Sequence, residues 1–542
     1  MIHKLRVIPL GGVEQVGKNC MVFEYGSDII IVDLGVGFPG PDLPGVDWLL
    51  PNISYLEKKL DQIRGIIITH GHLDHIGGIP FLIHRLGNPP IFATRLTIGL
   101  IEGRTNELGL RNLKFNTIEA DKVFTLGSFK IDPFHVVHNI PDSVGLSITT
   151  PIGTVIHTGD FKFDDNPGDQ RPVDKKKLKR IGEEGVLALF SDSTNAEVSG
   201  HTLSEKEIGE KIEEIVRQAP ARIIFTSFST LISRIHQAII ACQKYNRKMA
   251  IVGFSIKKSI AIAQELGYIK IPPGLLIDIK DINQYPDNKL FILVTGTQGE
   301  ERSVMTRISR GQYYMVKIKK SDSVIFSSSA IPGNELAIHR TMNGLIDQGA
   351  KIIYQPILGA GVHSSGHAQR EELKEMLNLI KPKFFIPIEG EHYMQAQHIE
   401  LAKESGIKRE NCFMLKNGNV LEIDEYQGAR ILPQKINGLS LIVQGRMVKV
   451  LEHDIIVTRR KMADVGVCII SISFDRKRGQ ENIQVVFLGL SVGDKIISEI
   501  KNKVRNFIKK YGTKKRVKLT IESRLGDFIL NKIGKKPVVA VV

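Results

Sequence analysis

Short apolar runs separated by glycine turns dominate the first 200 residues of the chain. They predict strands at residues 5–10, 28–33, 66–68, 129–138 and 154–160. A helical pattern lies between some of them, as around residues 53–61. Three of the runs end in polar side chains, at His70, His138 and Asp160. Strands alternating with helices, with polar residues at strand ends, indicate an α/β sandwich with a site on one edge.

A second pattern begins near residue 205. Ser204 predicts a helix N-cap, with Glu207 in the capping-box position and an amphipathic stretch that continues to Gln218. The strands predicted after it lie at residues 222–225, 249–252, 290–294 and 323–326. Each is followed closely by Ser, Thr or Gly, which suits contacts with phosphate or backbone groups. We predict a second, doubly wound α/β unit of about 150 residues here.

The remaining chain returns to the first pattern and then changes again. Predicted strands at residues 351–354 and 384–388 lead back to the sandwich, and Pro, Gly and Asn interrupt the pattern around residues 431–450. The predicted domains are residues 1–204 (first part of the sandwich), 205–350 (the inserted unit), 351–435 (second part of the sandwich), 436–450 (a linker) and 451–542 (a small α/β domain).

The composition, 42% hydrophobic and 24% charged, is that of an ordinary globular protein. The length of 542 residues predicts two to four domains. No apolar run reaches membrane-spanning length, and the first residues do not form a signal peptide. We therefore expect a cytoplasmic protein without a membrane partner. The four cysteines lie far apart, which argues against a disulfide framework and a thiolate zinc site.

The net charge of +15 changes this picture, because it indicates a polyanionic partner, most simply a nucleic acid. A basic proteome or a solvated surface would explain the charge equally well. Residues 501–518 contain nine Lys and Arg and no acidic residue. They form either a solvated helix face with an edge strand or an RNA-binding or assembly surface.

The chemistry is concentrated after residues 66–68, where His70, His72, Asp74 and His75 occur within six positions. His70 and His72 alternate, so they can point the same way from an extended segment, while Asp74 and His75 turn the other way. Four such side chains in one loop predict a metal site, and this arrangement favours two adjacent ions.

Two later residues complete the predicted centre. His138 is the natural third imidazole for one ion, and Asp160 is the natural bridging carboxylate. Ligation by His and Asp without Cys suits zinc, with manganese as the alternative. Two ions about 3.5–4 Å apart generate hydroxide near neutral pH and stabilise displacement at phosphorus, so phosphodiester hydrolysis is the predicted chemistry.

These residues carry a resemblance. The H-x-H-x-D-H signature, with Asp33, His138 and Asp160, is similar to the metallo-β-lactamase superfamily, and the insertion resembles its β-CASP branch. From about residue 5 to 430 the chain resembles the ribonuclease J family in particular. The stretches that carry this resemblance are Gly11–Asn19, Gly45–Asp47 with Pro51–Leu56, His138–Ser143, Thr295–Glu300 and Ile331–Glu335.

The resemblance implies a fold and a set of roles. The fold is an αββα sandwich with a dinuclear metal centre, an inserted doubly wound β-CASP domain and a small α/β C-terminal domain. The implied metal ligands are His70, His72 and His138 for one ion, Asp74 and His75 for the other, and Asp160 as the bridge. The implied catalytic residues are Asp74, His367, Asp192 and Asp33. The implied RNA or phosphate contacts are Ser329, Glu335, His363, Ser364, Ser365 and Arg234.

Two positions depart from the family pattern. Where the family usually has a histidine that completes the second metal site, this chain has Glu389. A carboxylate is a competent ligand but lowers the Lewis acidity of the ion and favours a harder metal such as manganese. Leu231 and Ser233 stand where the family commonly has asparagine and histidine, while Arg234 is kept. RNA contacts in that loop are therefore expected to differ.

The resemblance implies a ribonuclease that degrades RNA 5′→3′ from monophosphorylated ends and also cuts internally, in RNA maturation and decay. The expected partners are RNA, a second copy in a homodimer or homotetramer, and other RNA-decay proteins. One alternative is a catalytically weak, RNA-binding partner subunit of a ribonuclease complex. Another is a DNA-directed nuclease of the same branch, because metal motifs do not read the 2′-hydroxyl. The inserted unit and the charge argue against a small-molecule hydrolase.

Overall fold

The structure, a computed structural model, describes residues 4–40, 42–167, 171–331, 333–354, 361–426, 428–445, 447–450, 453–475, 480–511 and 515–542. Pro332 and residues 512–514 of the basic segment lie outside these ranges. The chain forms two compact units, one of residues 1–38 and 48–443 and the other of residues 39–47 and 444–542. Within the described ranges, no helix is long and apolar enough to cross a membrane.

Two sheets pack face to face in the first unit. The first sheet has eight strands in the spatial order Ala429–Ile431, Leu421–Asp424, Lys4–Gly11, Cys20–Tyr25, Asp28–Val32, Ile63–Ile67, Ile91–Ala93 and Phe115–Thr117. The second has six in the order Phe384–Ile388, Ala188–Asp192, Gly153–His157, Val144–Thr150, Phe129–His135 and Phe124–Leu126. A single apolar cluster joins the two inner faces, and its rings of Phe23 and Phe190 meet edge to face at 5.6 Å.

Helices cover the outer faces of this sandwich. Leu178, Leu373 and Ile399 pack on the second sheet and come from three helices, Lys175–Glu184, Arg370–Ile380 and His392–Glu404. Helix Arg95–Glu107 contacts the first sheet at its last strand. The predicted αββα sandwich is therefore confirmed. The helical pattern predicted near residues 53–61 forms only two 3₁₀ helices, Leu56–Lys58 and Leu60–Gln62, because Lys59 between them has a non-helical φ of −138°.

The inserted domain contains a parallel sheet of six strands. Their spatial order is Leu276–Ile277, Lys248–Val252, Leu290–Val294, Ile223–Thr226, Ser323–Phe326 and Lys351–Tyr354. The helices of this domain are Glu205–Gln218, Ile232–Lys244, Phe254–Glu265, Val304–Ser309 and Glu335–Asp347, with 3₁₀ helices Ile279–Gln284 and Asp287–Lys289. Ser204 and Glu207 form the predicted capping box. The strand order and parallel pairing confirm the doubly wound fold. The prediction that residues 351–354 lead back to the sandwich is wrong, because Lys351–Tyr354 pairs in parallel with Ser323–Phe326 in the inserted sheet.

The insertion lies between two strands of the sandwich in sequence, although these strands are neighbours in the second sheet. The chain leaves the second sheet after Ala188–Asp192 and returns to it at Phe384–Ile388. These two strands pair in parallel, and Asp192 is the register partner of Ile388. The ends of the insertion therefore meet at the edge of the sandwich where Asp192 and Glu389 lie.

The second unit has a three-stranded sheet with helices packed on it. Its sheet runs in the order Gln480–Leu488, Val467–Asp475 and Val538–Val541, and its helices are His453–Val465, Asp494–Tyr511 and Lys515–Ile533. Ile470, Ile500 and Leu525 share its apolar core.

In the segment 436–450, residues 441–443 pair antiparallel with strand Trp48–Leu50. The other short elements are the strands Leu441–Gln444 and Met447–Val450, the helices Leu73–Ile76 and Ile79–Leu82, and the 3₁₀ helix Arg409–Asn411.

Candidate metal centre

The strand that carries the histidine loop runs parallel to Asp28–Val32, so the loop and Asp33 leave the first sheet side by side. Asp33 is buried and has a left-handed φ of 63°. Its Oδ1 accepts a hydrogen bond from the N–H of Thr69 at 2.8 Å, and its Oδ2 lies 2.8 Å from Nδ1 of His75. Asp33 thereby fixes the loop and the ring orientation of His75. The opposite ring nitrogen of His75, Nε2, lies 3.2 Å from Oδ2 of Asp160.

Small residues allow neighbouring segments to pack tightly against this loop. A Cβ added at Gly71, between two of the histidines, would lie 2.6 Å from Cδ1 of Leu100 on helix Arg95–Glu107. A Cβ added at Gly35 would lie 1.5 Å from the backbone oxygen of Asp74. Glycine is therefore required at both positions for backbone and helix to approach the loop this closely.

Three imidazoles converge beside the shared carboxylate. Nδ1 of His72 lies 3.1 Å from Nε2 of His70 and 3.0 Å from Nε2 of His138. Nε2 of His70 lies 3.5 Å from Oδ2 of Asp160. Among the described residues, three sets have donor atoms within 4.8 Å of one another and could hold a metal ion: His70, His72 and His138; His70, His75 and Asp160; and His138, Asp160 and His367. Asp160 belongs to two of them.

Burial lowers the pKa values of three of the candidate ligand imidazoles. Burial and the neighbouring imidazoles lower the pKa values of His70 and His138 well below the ordinary value, and burial lowers the pKa of His72 to about 4. All three rings are therefore neutral near pH 7 and have a lone pair available for a metal. His75 differs, because Asp160, Asp33 and Asp74 outweigh its burial and raise its pKa well above the ordinary value.

The loop that carries His367 closes over the third histidine. The N–H at Nδ1 of His138 donates to the backbone oxygen of Gly366 at 2.7 Å. Nδ1 of His367 lies 2.8 Å from Oδ2 of Asp192, at the end of a strand of the second sheet, and 4.0 Å from Oδ2 of Asp160. Burial would lower the pKa of His367, but Asp192 and Asp160 raise it to about 10. His367 is therefore a protonated imidazole beside the candidate ligands.

Glu389 points into the same region from the end of strand Phe384–Ile388. It is buried with a left-handed φ of 46°. Its Oε1 accepts the N–H of Gly17 at 2.8 Å, while Oε2 has no hydrogen-bond partner among the described residues. Burial and the charges of Asp160 and Asp74 raise its pKa well above the ordinary value. Neither Glu389 nor Asp74 belongs to the three sets of close donor atoms within the described chain.

The residues expected to contact RNA lie at strand ends and in one loop. Ser329 is exposed after strand Ser323–Phe326, and its backbone oxygen accepts from Nε2 of Gln298 at 2.9 Å. Glu335 begins its helix and accepts the N–H of Gly333. The hydroxyl of Ser365 accepts from Nδ2 of Asn195 at 2.8 Å and from the N–H of His367 at 3.1 Å. Ser365 is thus part of the loop that positions His367.

Three further side chains expected to contact RNA are buried. Ser364 donates to the backbone oxygen of Leu203 at 2.8 Å, and neither ring nitrogen of His363 has a hydrogen-bond partner in the described part of the chain. Burial and Arg234 lower the pKa of His363 to about 3. Arg234 is fully buried, with Nη2 3.1 Å from Oε2 of Glu205. In this structure Arg234 therefore contacts a carboxylate and does not reach the surface.

Several residues at the site were not found by sequence reasoning. Nδ2 of Asn19 lies 3.0 Å from Nε2 of His75, and the N–H of Gly17 holds Glu389. Both lie in the glycine turn after the first strand, for which the only sequence signal was its resemblance to the family. Lys162 and Glu205 form a buried ion pair close to Asp160, and no pattern in the sequence links them.

Comparisons with known proteins agree along the chain. Residues 13–184 match the metallo-β-lactamase superfamily, and residues 220–345 match the β-CASP domain of ribonuclease J. Residues 361–415 match the Zn-dependent metallo-hydrolase RNA specificity domain, and residues 454–542 match the ribonuclease J C-terminal domain. The matches therefore cover the sandwich, the insertion and the second unit.

Curated relatives cover nearly the whole chain. Ribonuclease J 1 of Streptococcus pyogenes is 37% identical over 99% of this chain and 97% of its own length. Ribonuclease J of Thermus thermophilus is 36% identical over 99% and 94%, and ribonuclease J2 of Bacillus subtilis is 34% identical over 99% and 98%.

A solved structure supports the fold alone. A crystal structure of a protein of unknown function from Enterococcus faecalis aligns over 79% of this chain and 100% of its own, with a TM-score of 0.54 and 15% identity. The full-length similarity to the curated relatives carries the family assignment. The chain belongs to the ribonuclease J family of β-CASP metallo-β-lactamase-fold proteins.

Proposed function

We propose that the protein is a metal-dependent ribonuclease that hydrolyses phosphodiester bonds of RNA. In this proposal it degrades RNA 5′→3′ from monophosphorylated ends and also cuts internally, in RNA maturation and decay. The observation that carries the proposal is the sharing of Asp160 between two sets of close donor atoms. Family membership and the net charge of +15 support RNA as the substrate.

The donor set fits two divalent ions of the zinc type, with manganese as the alternative. The imidazoles of His70, His72 and His138 are neutral and buried. Oε2 of Glu389, which has no hydrogen-bond partner among the described residues, is a buried acceptor that a cation would satisfy. Divalent ions bound there would supply a hydroxide near neutral pH and would stabilise negative charge at phosphorus. The proposed ligands are His70, His72 and His138 for one ion, Asp74, His75 and Glu389 for the other, and Asp160 between them.

The surrounding residues orient this set and supply a proton. Asp33 holds His75 by its Nδ1–H, which directs Nε2 towards Asp160. Asp192 holds His367 in its protonated form, and we assign His367 the role of donating a proton to the leaving oxygen. Ser365 and Ser364 fix the loop that carries His367. Ser329, Glu335 and His363 are proposed to line the path of the RNA 5′ end.

Parallel digestion of three RNAs tests this function. The substrates are one sequence with a 5′-monophosphate, a 5′-triphosphate or a 5′-hydroxyl, each with zinc or manganese, and a DNA of the same sequence. We expect mononucleotides from the monophosphate RNA alone and internal fragments from all three RNAs. Binding without hydrolysis would instead favour a catalytically weak partner subunit, and equal cleavage of DNA would favour a DNA-directed nuclease.

We also propose that the protein acts in the cytoplasm as a homodimer or homotetramer, with other RNA-decay proteins as partners. The family assignment supports this proposal. Light scattering coupled to size-exclusion chromatography tests the oligomeric state, and a monomeric mass at micromolar concentration would contradict it.

A further inference from the structure

A buried ionic cluster connects the inserted domain to the strand end that carries Asp160. Its members are Lys162, Asp164, Glu205 and Arg234, which are 0%, 5%, 1% and 0% exposed, and Oδ2 of Asp164 lies 3.8 Å from Nζ of Lys162. Lys162 and Asp164 follow strand Gly153–His157 of the second sheet, and Glu205 and Arg234 lie on the first two helices of the insertion. Charged side chains are almost never this buried unless they are paired, so the cluster has a specific cause.

Glu205 is the centre of the cluster, between two cations. Its Oε1 lies 3.1 Å from Nζ of Lys162, and its Oε2 lies 3.1 Å from Nη2 of Arg234. Nε2 of Gln237 adds a hydrogen bond to Oε2 at 3.2 Å. Burial alone would raise the pKa of Glu205, but Arg234 and Lys162 hold it at about 2. The carboxylate is therefore ionised at every physiological pH and cannot leave either cation without exposing a buried charge.

Lys162 transmits this restraint to two candidate metal ligands. It lies two residues after Asp160, and its N–H donates to the backbone oxygen of Val137 at 2.8 Å. Val137 directly precedes His138, and the two segments form an isolated bridge at Val137 and Lys162. The position of the Lys162 backbone therefore sets the distance between the segments that present Asp160 and His138.

The inserted domain fixes the other side of the cluster. Glu205 begins a capped helix, and its N–H donates to Oδ2 of Asp164 at 2.8 Å. Ser233, which precedes Arg234, donates to the backbone oxygen of Asn139 at 3.3 Å. The insertion thus contacts the chain on both sides of the pair formed by His138 and Asp160.

We propose that Glu205 is a positioning residue for the metal centre: through Lys162 it holds Asp160 and His138 in their ligating arrangement, with Arg234 as its second anchor. Metal binding by the sandwich then depends on the inserted domain. Arg234 acts through Glu205 and does not touch RNA. The inference rests on the proposed metal centre, because its readout is the affinity of that centre for metal.

The test is a metal titration of the full-length protein by isothermal calorimetry, with zinc and with manganese. Glu205→Gln keeps the shape of the side chain and removes its charge. The matched control is Asp322→Asn, because Asp322 also makes a buried ion pair in the inserted domain, with Arg222 at 2.5 Å, at the opposite end of the sheet. Loss of a group that orients metal ligands weakens metal binding by about 10- to 100-fold.

We expect both variants to lower the melting temperature, and only Glu205→Gln to weaken metal binding, by about tenfold or more. Arg234→Lys retains the charge balance and serves as a second variant in case Glu205→Gln does not fold. It is expected to bind metal more weakly than Asp322→Asn. Wild-type affinity in both Glu205→Gln and Arg234→Lys would overturn the inference. Absence of metal binding by the wild-type protein would overturn the proposed metal centre itself.

Discussion

At the scale of single residues, two imidazoles of the candidate centre have one ring nitrogen fixed by a neighbour outside the set of ligands. Asp33 fixes Nδ1 of His75, and the backbone oxygen of Gly366 fixes Nδ1 of His138. In both rings Nε2 remains to face Asp160. Fixing the tautomer in this way increases the basicity of a ligating histidine and reduces the entropy lost when it binds a metal.

Removal of a candidate metal ligand is expected to abolish hydrolysis while the protein stays folded. We predict that His72→Ala and Asp160→Ala each reduce RNA cleavage to background, since each removes one of the three donor residues of a candidate set among the described residues. Cleavage rates and circular-dichroism melting curves measured together check this. His84→Ala, at an exposed histidine away from the sets, is the control and should cleave normally. Full activity of either ligand variant would contradict the two-metal proposal.

Glu389 is expected to determine which metal is preferred. We predict that Glu389→His retains cleavage and shifts the preference from manganese towards zinc, because an imidazole is a softer, neutral ligand. Rates and bound metal, measured by mass spectrometry after equal supply of both ions, report the shift. If Glu389→Ala altered neither metal content nor rate, Glu389 would not be a ligand.

Lys18 provides a pH test that does not involve the metal. It is buried, and burial lowers its pKa from 10.5 to about 8, while its Nζ lies 2.5 Å from Oγ of Ser440. Between pH 8 and 10.5 the unfolded chain binds more protons than the folded one, so stability must rise with pH in that window. Relative to Lys18→Met, we predict that the wild-type free energy of unfolding rises by about 3 kcal/mol. Urea unfolding of both proteins at pH 7.5 and about 10 measures this difference in free energy. An equal difference between the two proteins at both pH values would contradict the prediction.

At the scale of elements, the sequence predicted what depends on periodicity and local capping. Apolar runs identified part of each sheet, such as Lys4–Gly11 and Gly153–His157, but not strands such as Cys20–Tyr25 and Val144–Thr150. Ser204 with Glu207 identified the start of the first inserted helix. The candidate metal ligands of the histidine loop were found because they too form a local sequence pattern. Glu205 and Lys162 are 43 positions apart, and their pairing depends on how the insertion docks on the sandwich. Local patterns hold no information on such docking. The family resemblance implied that Arg234 contacts RNA, whereas in this structure it pairs with Glu205.

The loop that carries His367 is expected to tolerate no side chain at its glycine. A Cβ at Gly366 would lie 2.5 Å from Cε1 of His138, so Gly366→Ala must move either the loop or a candidate ligand. We predict a loss of cleavage of about 10- to 100-fold, with a smaller effect on melting temperature.

Gly209→Ala is a matched control for this substitution. Gly209 lies in helix Glu205–Gln218, and a Cβ there would only come within 3.6 Å of the Gln237 side chain. It should raise stability by up to about 1 kcal/mol and leave cleavage unchanged. Equal activity of the Gly366 and Gly209 variants would show that the loop has room to adjust.

At the scale of the whole molecule, the net charge of +15 predicts that RNA affinity falls steeply with salt. For single-stranded RNA, the logarithm of affinity should fall with slope of about −0.7 per phosphate contact against the logarithm of salt concentration. Fluorescence anisotropy with the Asp160→Ala variant, which leaves the RNA intact, measures this slope.

The same measurement tests the basic segment of the second unit. Replacing Lys501 and Lys503 with glutamine, on helix Asp494–Tyr511, should reduce the steepness of the slope if this helix contacts RNA. An unchanged slope would mean that the helix is a solvated face. Composition alone predicted a polyanionic partner but could not decide between these two uses of the charge.

The first strand of the chain has a consequence for synthesis on the ribosome. Lys4–Gly11 pairs with Leu421–Asp424, and Phe384–Ile388 completes the second sheet beside Ala188–Asp192. A nascent chain therefore emerges with one edge of each sheet unpaired until more than two thirds of it has been translated, which exposes it to chaperones and to non-native pairing. The same order delays His367 and Glu389, so a nuclease of this topology is expected to be harmless to the message that encodes it until more than two thirds of the chain has been translated.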